Sequence, residues 1–126
     1  MARWLFKQEP GCYSFADLME DGSTAWDGVG NALAVKHLKA AKEGDLVFFY
    51  ETGKAKAVVG VMRIVAAGEA PTVEPVEALP RPVALAELKA LPELAEWDLV
   101  RLPRLSVVPV SAAHWKAVEK LARTPP

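Results

Sequence analysis

The sequence predicts an α+β fold, namely a small, mixed and mainly antiparallel β-barrel flanked by helices. Two observations lead to this fold class. Two apolar runs in the centre of the chain, separated by a short polar connection, indicate a long β-hairpin. The elements around this hairpin follow the order β-α-α-β-β-β-α-β-α, which supplies helices to cover a small sheet. The length of 126 residues is expected to form a single domain, residues 1–126.

Periodicity and turn residues predict the elements in chain order. Polar and large side chains alternate near the start of the chain, which predicts a short strand there. The proline-rich stretch after the hairpin is expected to be extended. The predicted elements are a strand over 3–7, helices over 14–19 and 31–42, strands over 46–50, 57–65 and 73–79, a helix over 84–91, a strand over 105–108 and a terminal helix.

Capping residues define several helix ends. Ser14 is expected to cap the first helix, with Asp17 completing a capping box. Gly44 is a plausible stop signal for the second helix. Ser111 is expected to cap the last helix, which Pro125-Pro126 would end.

Residue spacing also predicts which side chains are buried. The run over 46–50 is continuously apolar, as expected of a strand covered on both faces. Within the strand over 57–65, Gly60 indicates a bulge or a close approach of another segment. Side chains expected to share an inward face are Ala34, His37, Leu38 and Ala41 on the second helix, and Trp115, Val118 and Ala122 on the last.

Composition limits the class of protein. Hydrophobic residues make up 52% and charged residues 25%, which is typical of a soluble globular domain. A net charge of −1 argues against binding long nucleic acid through phosphate contacts alone. The chain has no transmembrane-length apolar run and no signal peptide, and its one cysteine, expected to be a buried thiol at Cys12, fits the cytoplasm. Few amides and ten prolines resemble thermophile proteins, although a GC-rich genome produces a similar bias.

No motif indicates a metal site, a cofactor or catalysis. His37 and His114 are isolated from each other and lack metal-ligand spacing, so structural roles are favoured for both. Gly28-Val29-Gly30 lacks the third glycine of a dinucleotide-binding loop, and no phosphate-binding loop of the Walker type is present. We expect no metal and no cofactor.

The first 31 residues concentrate aromatic and polar side chains. They hold half of the four tryptophans and every side-chain amide of the chain. Such a set can form flat walls and fixed donors around a planar heterocycle. It can equally belong to the core, with Asp27 and Asn31 closing a turn and capping a helix. Residue types alone favour this second interpretation.

The order of several short motifs resembles the EVE domain family. The first motifs are Trp4-x-Phe6-Lys7-x-Glu9-Pro10, Tyr13-Ser14 with Asp17-Leu18, and Trp26-Asp27-Gly28-Val29-x-Asn31. The later ones are Gly44-Asp45, Phe48-Phe49-Tyr50, Val59-Gly60, Arg104-Leu105-Ser106-Val107-x-Pro109-Val110 and Trp115. The family is similar to PUA and YTH domains. The resemblance implies a PUA-like barrel that binds a modified base of DNA or RNA without catalysing a reaction.

The resemblance also implies a set of binding residues. The base pocket would be lined by Lys7, Pro10, Tyr13, Ser14, Trp26, Asp27, Val29, Asn31, Phe49, Tyr50 and Ser106. Aromatic walls would stack on the base, and amide or carboxylate groups would hydrogen-bond its edge. The contacts to the nucleic-acid backbone would come from Lys36, Lys39 and Lys42. The partner would be modified DNA or RNA, bound by a monomer with no membrane contact.

This sequence departs from the family pattern at the phosphate-binding surface. Gly30 stands where the family usually has an arginine, Ala32 and Val35 replace a tyrosine and a second arginine, and Glu51-Thr52 replaces His-Ser. The stretch between residues 65 and 85 is shorter than usual and lacks a tryptophan. Two other functions therefore stay open. One is a small hydrolase of modified nucleosides, with Lys7 and Glu9 or Glu51 as base and acid. The other is an interaction domain with a degenerate pocket.

Overall fold

A six-stranded sheet, curled into a half-barrel, forms the centre of the computed structural model, which describes residues 2–124. The strand order is β2-β5-β4-β3-β1-β6. The strands are β1 (Arg3–Gln8), β2 (Thr24–Ala25), β3 (Leu46–Glu51), β4 (Ala57–Ala66), β5 (Thr72–Ala84) and β6 (Val107–Val110). The helices are α1 (Phe15–Asp21), α2 (Ala32–Ala40), α3 (Leu85–Lys89), α4 (Asp98–Arg101) and α5 (Ala112–Arg123), with a 3-10 turn at Pro92–Leu94.

The predicted central hairpin is confirmed. β3 and β4 pair antiparallel, and each also has a second neighbour, so both are interior strands. Their apolar side chains are covered on both faces, since Val47, Phe48 and Phe49 are all fully buried. The prediction of a mainly antiparallel sheet is also confirmed, with one exception. β1 runs parallel to β3, and the crossover between them contains α1, β2 and α2.

Gly60 allows Phe15 to lie close to the strand, which confirms the close approach predicted at this residue. A Cβ atom at this residue would lie 2.4 Å from the ring of Phe15, closer than any side chain allows. The register of the β4–β5 pair also shifts between Val58 and Gly60. The absence of a side chain therefore lets α1 pack its first residue directly onto the sheet.

Two predicted helix caps are present. Ser14 Oγ accepts from the Asp17 N–H at 3.1 Å, and the Asp17 carboxylate accepts from the Ser14 N–H at 2.9 Å, which completes the capping box. Ser111 Oγ accepts from the His114 N–H at 3.1 Å at the start of α5. The predicted inward faces of α2 and α5 are buried as well, with His37 half-buried. Pro125-Pro126, expected to end α5, lie outside the described residues.

Several predicted boundaries were wrong. α2 ends at Ala40 rather than residue 42, so Lys42 lies beyond the helix and Gly44 is not its stop. The turn that follows is instead held by a side chain, because the Lys42 N–H donates to Asp45 Oδ2 at 2.9 Å, while Gly44 takes a left-handed φ of 92°. β5 is longer than the predicted strand over 73–79, α3 is shorter than 84–91, and β6 lies two residues further on than 105–108.

Asp45 is a buried carboxylate with three hydrogen-bond donors. It is 4% exposed and accepts from the Trp4 indole N–H at 2.9 Å, the Lys42 N–H at 2.9 Å and the Ala2 N–H at 3.2 Å. A buried charge is tolerated when such donors replace its water shell. Asp45 thereby joins the start of β1 to the turn before β3. Among residues 2–124, no helix has both the length and the apolar character needed to cross a lipid bilayer.

Candidate functional site

Four buried aromatic rings form a cluster beneath the loop over 26–31, and we call it the aromatic floor. Its members are Phe6, Phe15, Trp26 and Phe49. Trp26 lies 5.4 Å from Phe6 and meets Phe49 edge-on at 5.5 Å between ring centroids. The Trp26 N–H donates to the Pro71 carbonyl at 2.8 Å, which fixes the start of the loop against the chain entering β5. Trp26 is 3% exposed and Phe49 is fully buried, so both rings pack within the core.

The polar side chains after Trp26 are far more exposed, and we call Asp27 and Asn31 the polar rim, with the half-buried Val29 between them. Asp27 and Val29 line a cavity of about 280 Å³ together with Lys39 of α2. Asn31 is the N-cap of α2, where its Oδ1 accepts from the Ala34 N–H at 3.0 Å. This cap uses only the carbonyl oxygen of the amide, and the NH₂ group remains for another partner.

Three more of the predicted pocket residues have local structural contacts. Tyr13 Oη donates to the Asp21 carboxylate at 2.9 Å, and burial, with a smaller effect of this hydrogen bond, raises the pKa of the phenol. Ser14 caps α1, as described above. Pro10 is half-buried in the turn that follows β1, where Glu9 accepts from the backbone N–H groups of Cys12 and Tyr13.

Lys7 and Tyr50 lie side by side at the ends of β1 and β3. These two residues line a cavity of about 300 Å³, and Lys7 Nζ lies 5.5 Å from the centre of the Tyr50 ring. Lys7 Nζ donates to the Pro103 carbonyl at 2.9 Å, and its backbone N–H donates to the Ser106 carbonyl at 2.9 Å. Burial lowers the pKa of Lys7 and raises that of Tyr50. Ser106 itself is half-buried at the start of β6.

Five of the predicted pocket residues therefore line three separate depressions rather than one, and the other six line none of these three. The third depression is a cavity of about 320 Å³ at Asn31, which is also lined by Arg101 and Arg104. It shares Pro103 with the cavity at Lys7. The arginines at this position were not predicted as site residues. The sequence signal was the run over 101–104, which places an arginine on each side of Leu102-Pro103, close before Ser106.

The three lysines predicted to contact a nucleic-acid backbone differ in their surroundings. Lys36 is exposed on α2. Lys39 Nζ lies 3.7 Å from the Glu69 carboxylate, in an exposed ion pair of small energetic weight. Lys42 is exposed in the turn after α2. These positions form a discontinuous basic surface rather than one helical stripe.

The prediction of a buried Cys12 thiol was wrong, because Cys12 is exposed in the turn after β1. His37 packs against Trp4 at 5.9 Å, and His114 stacks on Trp97 at 4.9 Å between ring centroids. Burial lowers the pKa of His114. Residues 2–124 contain no group of three or more His, Cys, Asp or Glu side chains placed to hold a metal ion.

The sequence and the fold both match one protein family. The model of the EVE domain matches residues 2–121. The chain belongs to the EVE domain family. No curated protein sequence matches it.

Solved EVE-like structures extend this match over the whole chain. Protein Atu2648 from Agrobacterium tumefaciens is 30% identical, with a TM-score of 0.94 over 100% of this chain and 97% of the other. Rpa0253 from Rhodopseudomonas palustris is 35% identical, with a TM-score of 0.89 over 97% and 93% of the two chains. Human THYN1, solved in complex with DNA that contains 5-methylcytosine, is 26% identical, with a TM-score of 0.92 over 100% of both chains. These likenesses confirm the EVE assignment and the PUA-like fold.

Proposed function

We propose that this EVE domain is a non-enzymatic, monomeric and cytoplasmic protein that binds DNA or RNA and accommodates a modified base, such as a methylated or hydroxymethylated one. One observation carries the proposal. The backbone superposes on that of human THYN1 over the full length of both chains, and the THYN1 structure contains 5-methylcytosine DNA. A common backbone structure over the full length of two proteins of one family favours a common class of ligand.

The polar rim is proposed to read the edge of the base. Asp27 and Asn31 are both exposed, and together they offer a carboxylate acceptor and an amide donor. Tyr13 is proposed as a wall. Trp26 and Phe49, predicted to line the pocket, are buried, so we propose that they support the rim from the aromatic floor without touching the base. The other predicted pocket residues are proposed to complete the site, namely Lys7, Pro10, Ser14, Val29, Tyr50 and Ser106.

Backbone contacts are proposed for Lys36, Lys39 and Lys42. Their number sets the expected salt dependence, because each phosphate neutralised on duplex DNA adds about 0.9 to the slope of log K against log salt. Three contacts correspond to a slope of about 2.7. The joint change of these lysines to alanine is expected to abolish most of that slope. A slope near ten, or one unaffected by the triple change, contradicts this assignment.

The proposal is tested by affinity measurements on matched oligonucleotides. One single-stranded and one duplex sequence would each carry cytosine, 5-methylcytosine or 5-hydroxymethylcytosine at one position, as DNA and as RNA. We expect a preference of about tenfold for the modified base, which is the effect of one added methyl group in an apolar pocket. Equal affinity for all three bases in every format contradicts the proposal. Release of product from a modified nucleoside, such as an acylated cytidine, would instead show an enzyme.

A further inference from the structure

The cavity at Lys7 collects three lysines from distant parts of the sequence, and we call it the lysine pocket. Lys7 comes from β1, Lys56 from the turn between β3 and β4, and Lys89 from the end of α3. Tyr50, Leu85 and Pro103 supply apolar surface between them. At about 300 Å³, the cavity is at the lower limit for small-molecule sites and suits a compact group.

The charge of the lysine pocket is not balanced by ion pairs. Within residues 2–124, none of its lysines lies within 4.0 Å of a carboxylate oxygen. The described residues that line the pocket include these three lysines and no aspartate or glutamate, while Glu9 accepts from the lining residue Thr52, through its Oγ1, at 3.2 Å. This lining gives a positive local potential in a protein whose net charge is −1.

Lys56 occupies a backbone conformation that lysine rarely adopts. Its φ is 42°, and it is the one residue other than glycine with a positive φ in the described part of the chain. Glycine or asparagine would adopt this left-handed geometry with less strain. The Lys56 carbonyl accepts from the Leu85 N–H at 2.8 Å, which anchors the turn to the start of α3. A strained residue whose side chain lines a cavity is typical of a functional position.

The partners that fit this pocket are compact and anionic. Lysine ammonium groups act as point charges that approach a tetrahedral anion from several sides, whereas planar carboxylates are best matched by the fork of an arginine. The Tyr50 hydroxyl, like any phenol, is protonated at neutral pH, and burial raises its pKa further, so it is an additional donor. This donor set is that of a phosphate site.

We propose that the lysine pocket binds a phosphate group of the nucleic-acid strand whose modified base the polar rim reads. The inference rests on the proposed function and changes it in one respect: Lys7 and Tyr50 contact a phosphate rather than the base, together with Lys56 and Lys89, which belong to no predicted site. Pro103 lines both this cavity and the cavity beside Asn31, so the two are neighbours on the surface. In the proposal one strand contacts both, and the phosphate contact sets the register of the base relative to the rim.

Two neighbouring lysines in one turn provide a matched comparison. Lys56 lines the pocket, while Lys54 is exposed and does not. The test is the salt dependence of binding to a single-stranded oligonucleotide by the full chain and its variants. We expect Lys56→Asn and Lys89→Gln each to weaken binding and the double variant to lower the slope by about 0.7, the value for one phosphate contact on a single strand, while Lys54→Gln leaves the slope unchanged. Lys56→Asn also suits a left-handed backbone, so its melting temperature is expected to be unchanged or higher.

A second measurement identifies the source of the phosphate. Lysine NMR signals would be followed while the protein is titrated with inorganic phosphate or with a thymidine trinucleotide that has no terminal phosphate. We expect saturable shifts of the Lys7, Lys56 and Lys89 signals with the trinucleotide. Shifts with inorganic phosphate alone overturn the assignment to a strand, and equal shifts of Lys54, or none in the pocket, overturn the site itself. If the signals of the pocket lysines shift as expected but the protein binds modified and unmodified bases equally well, only the proposed function is contradicted.

Discussion

The aromatic floor and the polar rim are adjacent in the sequence and opposite in environment. Trp26 is 3% exposed and contacts two other buried rings, whereas Asp27, its neighbour, is exposed. Apolar burial stabilises the fold in proportion to the area removed from water, while exposed polar groups contribute little until a ligand covers them. The motif Trp26-Asp27-Gly28-Val29-x-Asn31 thus supplies buried apolar surface at its first residue, and exposed polar groups, proposed to bind the base, at later ones.

The largest loss of stability is expected when Trp26, at the centre of the aromatic floor, is changed. Trp26→Ala leaves a cavity between Phe6 and Phe49, and we expect it to lower the free energy of unfolding by about 3–5 kcal/mol. Urea unfolding measures this loss, with Met19→Ala as the control, because the Met19 side chain is 52% exposed. An unfolding free energy that stays near the wild-type value would contradict a stabilising role of Trp26 in the aromatic floor.

A smaller loss of stability is expected where α1 meets the sheet. Gly60→Ala introduces a methyl group 2.4 Å from the Phe15 ring, so the ring or the strand must move. We expect destabilisation by about 1–3 kcal/mol, the usual result of overpacking. Gly30→Ala is the control, since a Cβ there meets no atom within 4 Å and its φ is not in the left-handed range. Equal melting temperatures of the two variants would contradict the close approach.

Asn31 allows stability and recognition to be separated at one residue. Asn31→Ala removes the N-cap of α2 and is expected to cost about 0.5–2 kcal/mol. Asn31→Asp keeps an oxygen at the capping position and removes the NH₂ donor, so folding is expected to be close to wild type while binding of a modified-base oligonucleotide weakens. Thermal unfolding and affinity measured on the same samples test both outcomes. Wild-type affinity in the aspartate variant would exclude the amide from recognition.

The smallest effect on stability is expected at Asp27. Asp27→Asn changes an acceptor into a mixed donor and acceptor at nearly constant volume, and the side chain is exposed. We expect the unfolding free energy to stay within about 0.5 kcal/mol of wild type, as for most surface substitutions. The preference between cytosine and 5-methylcytosine oligonucleotides is expected to change. An unchanged preference, together with a large loss of stability in Trp26→Ala, would contradict base reading by this loop.

The local features of this molecule were predictable from its sequence. The capping box at Ser14, the cap at Ser111, the apolar hairpin and the close approach at Gly60 each depend on residues a few positions apart or on one strand pattern. The PUA-like fold was predicted from the family motifs. Each motif alone is a weak signal, but their order over most of the chain is specific to the family.

The remaining features depend on tertiary contacts, which residue spacing does not encode. β2 is two residues long and is a strand only because it pairs with β5, and β1 lies parallel to β3 across an intervening crossover. The same holds for the lysine pocket, whose cations come from β1, a turn and α3. The sequence by itself determined the longer strands and helices, two helix caps and the family. Only the packed sheet decided that Trp26 is buried while Asn31 is exposed, and that three distant lysines share one cavity, since these outcomes require long-range contacts to form together.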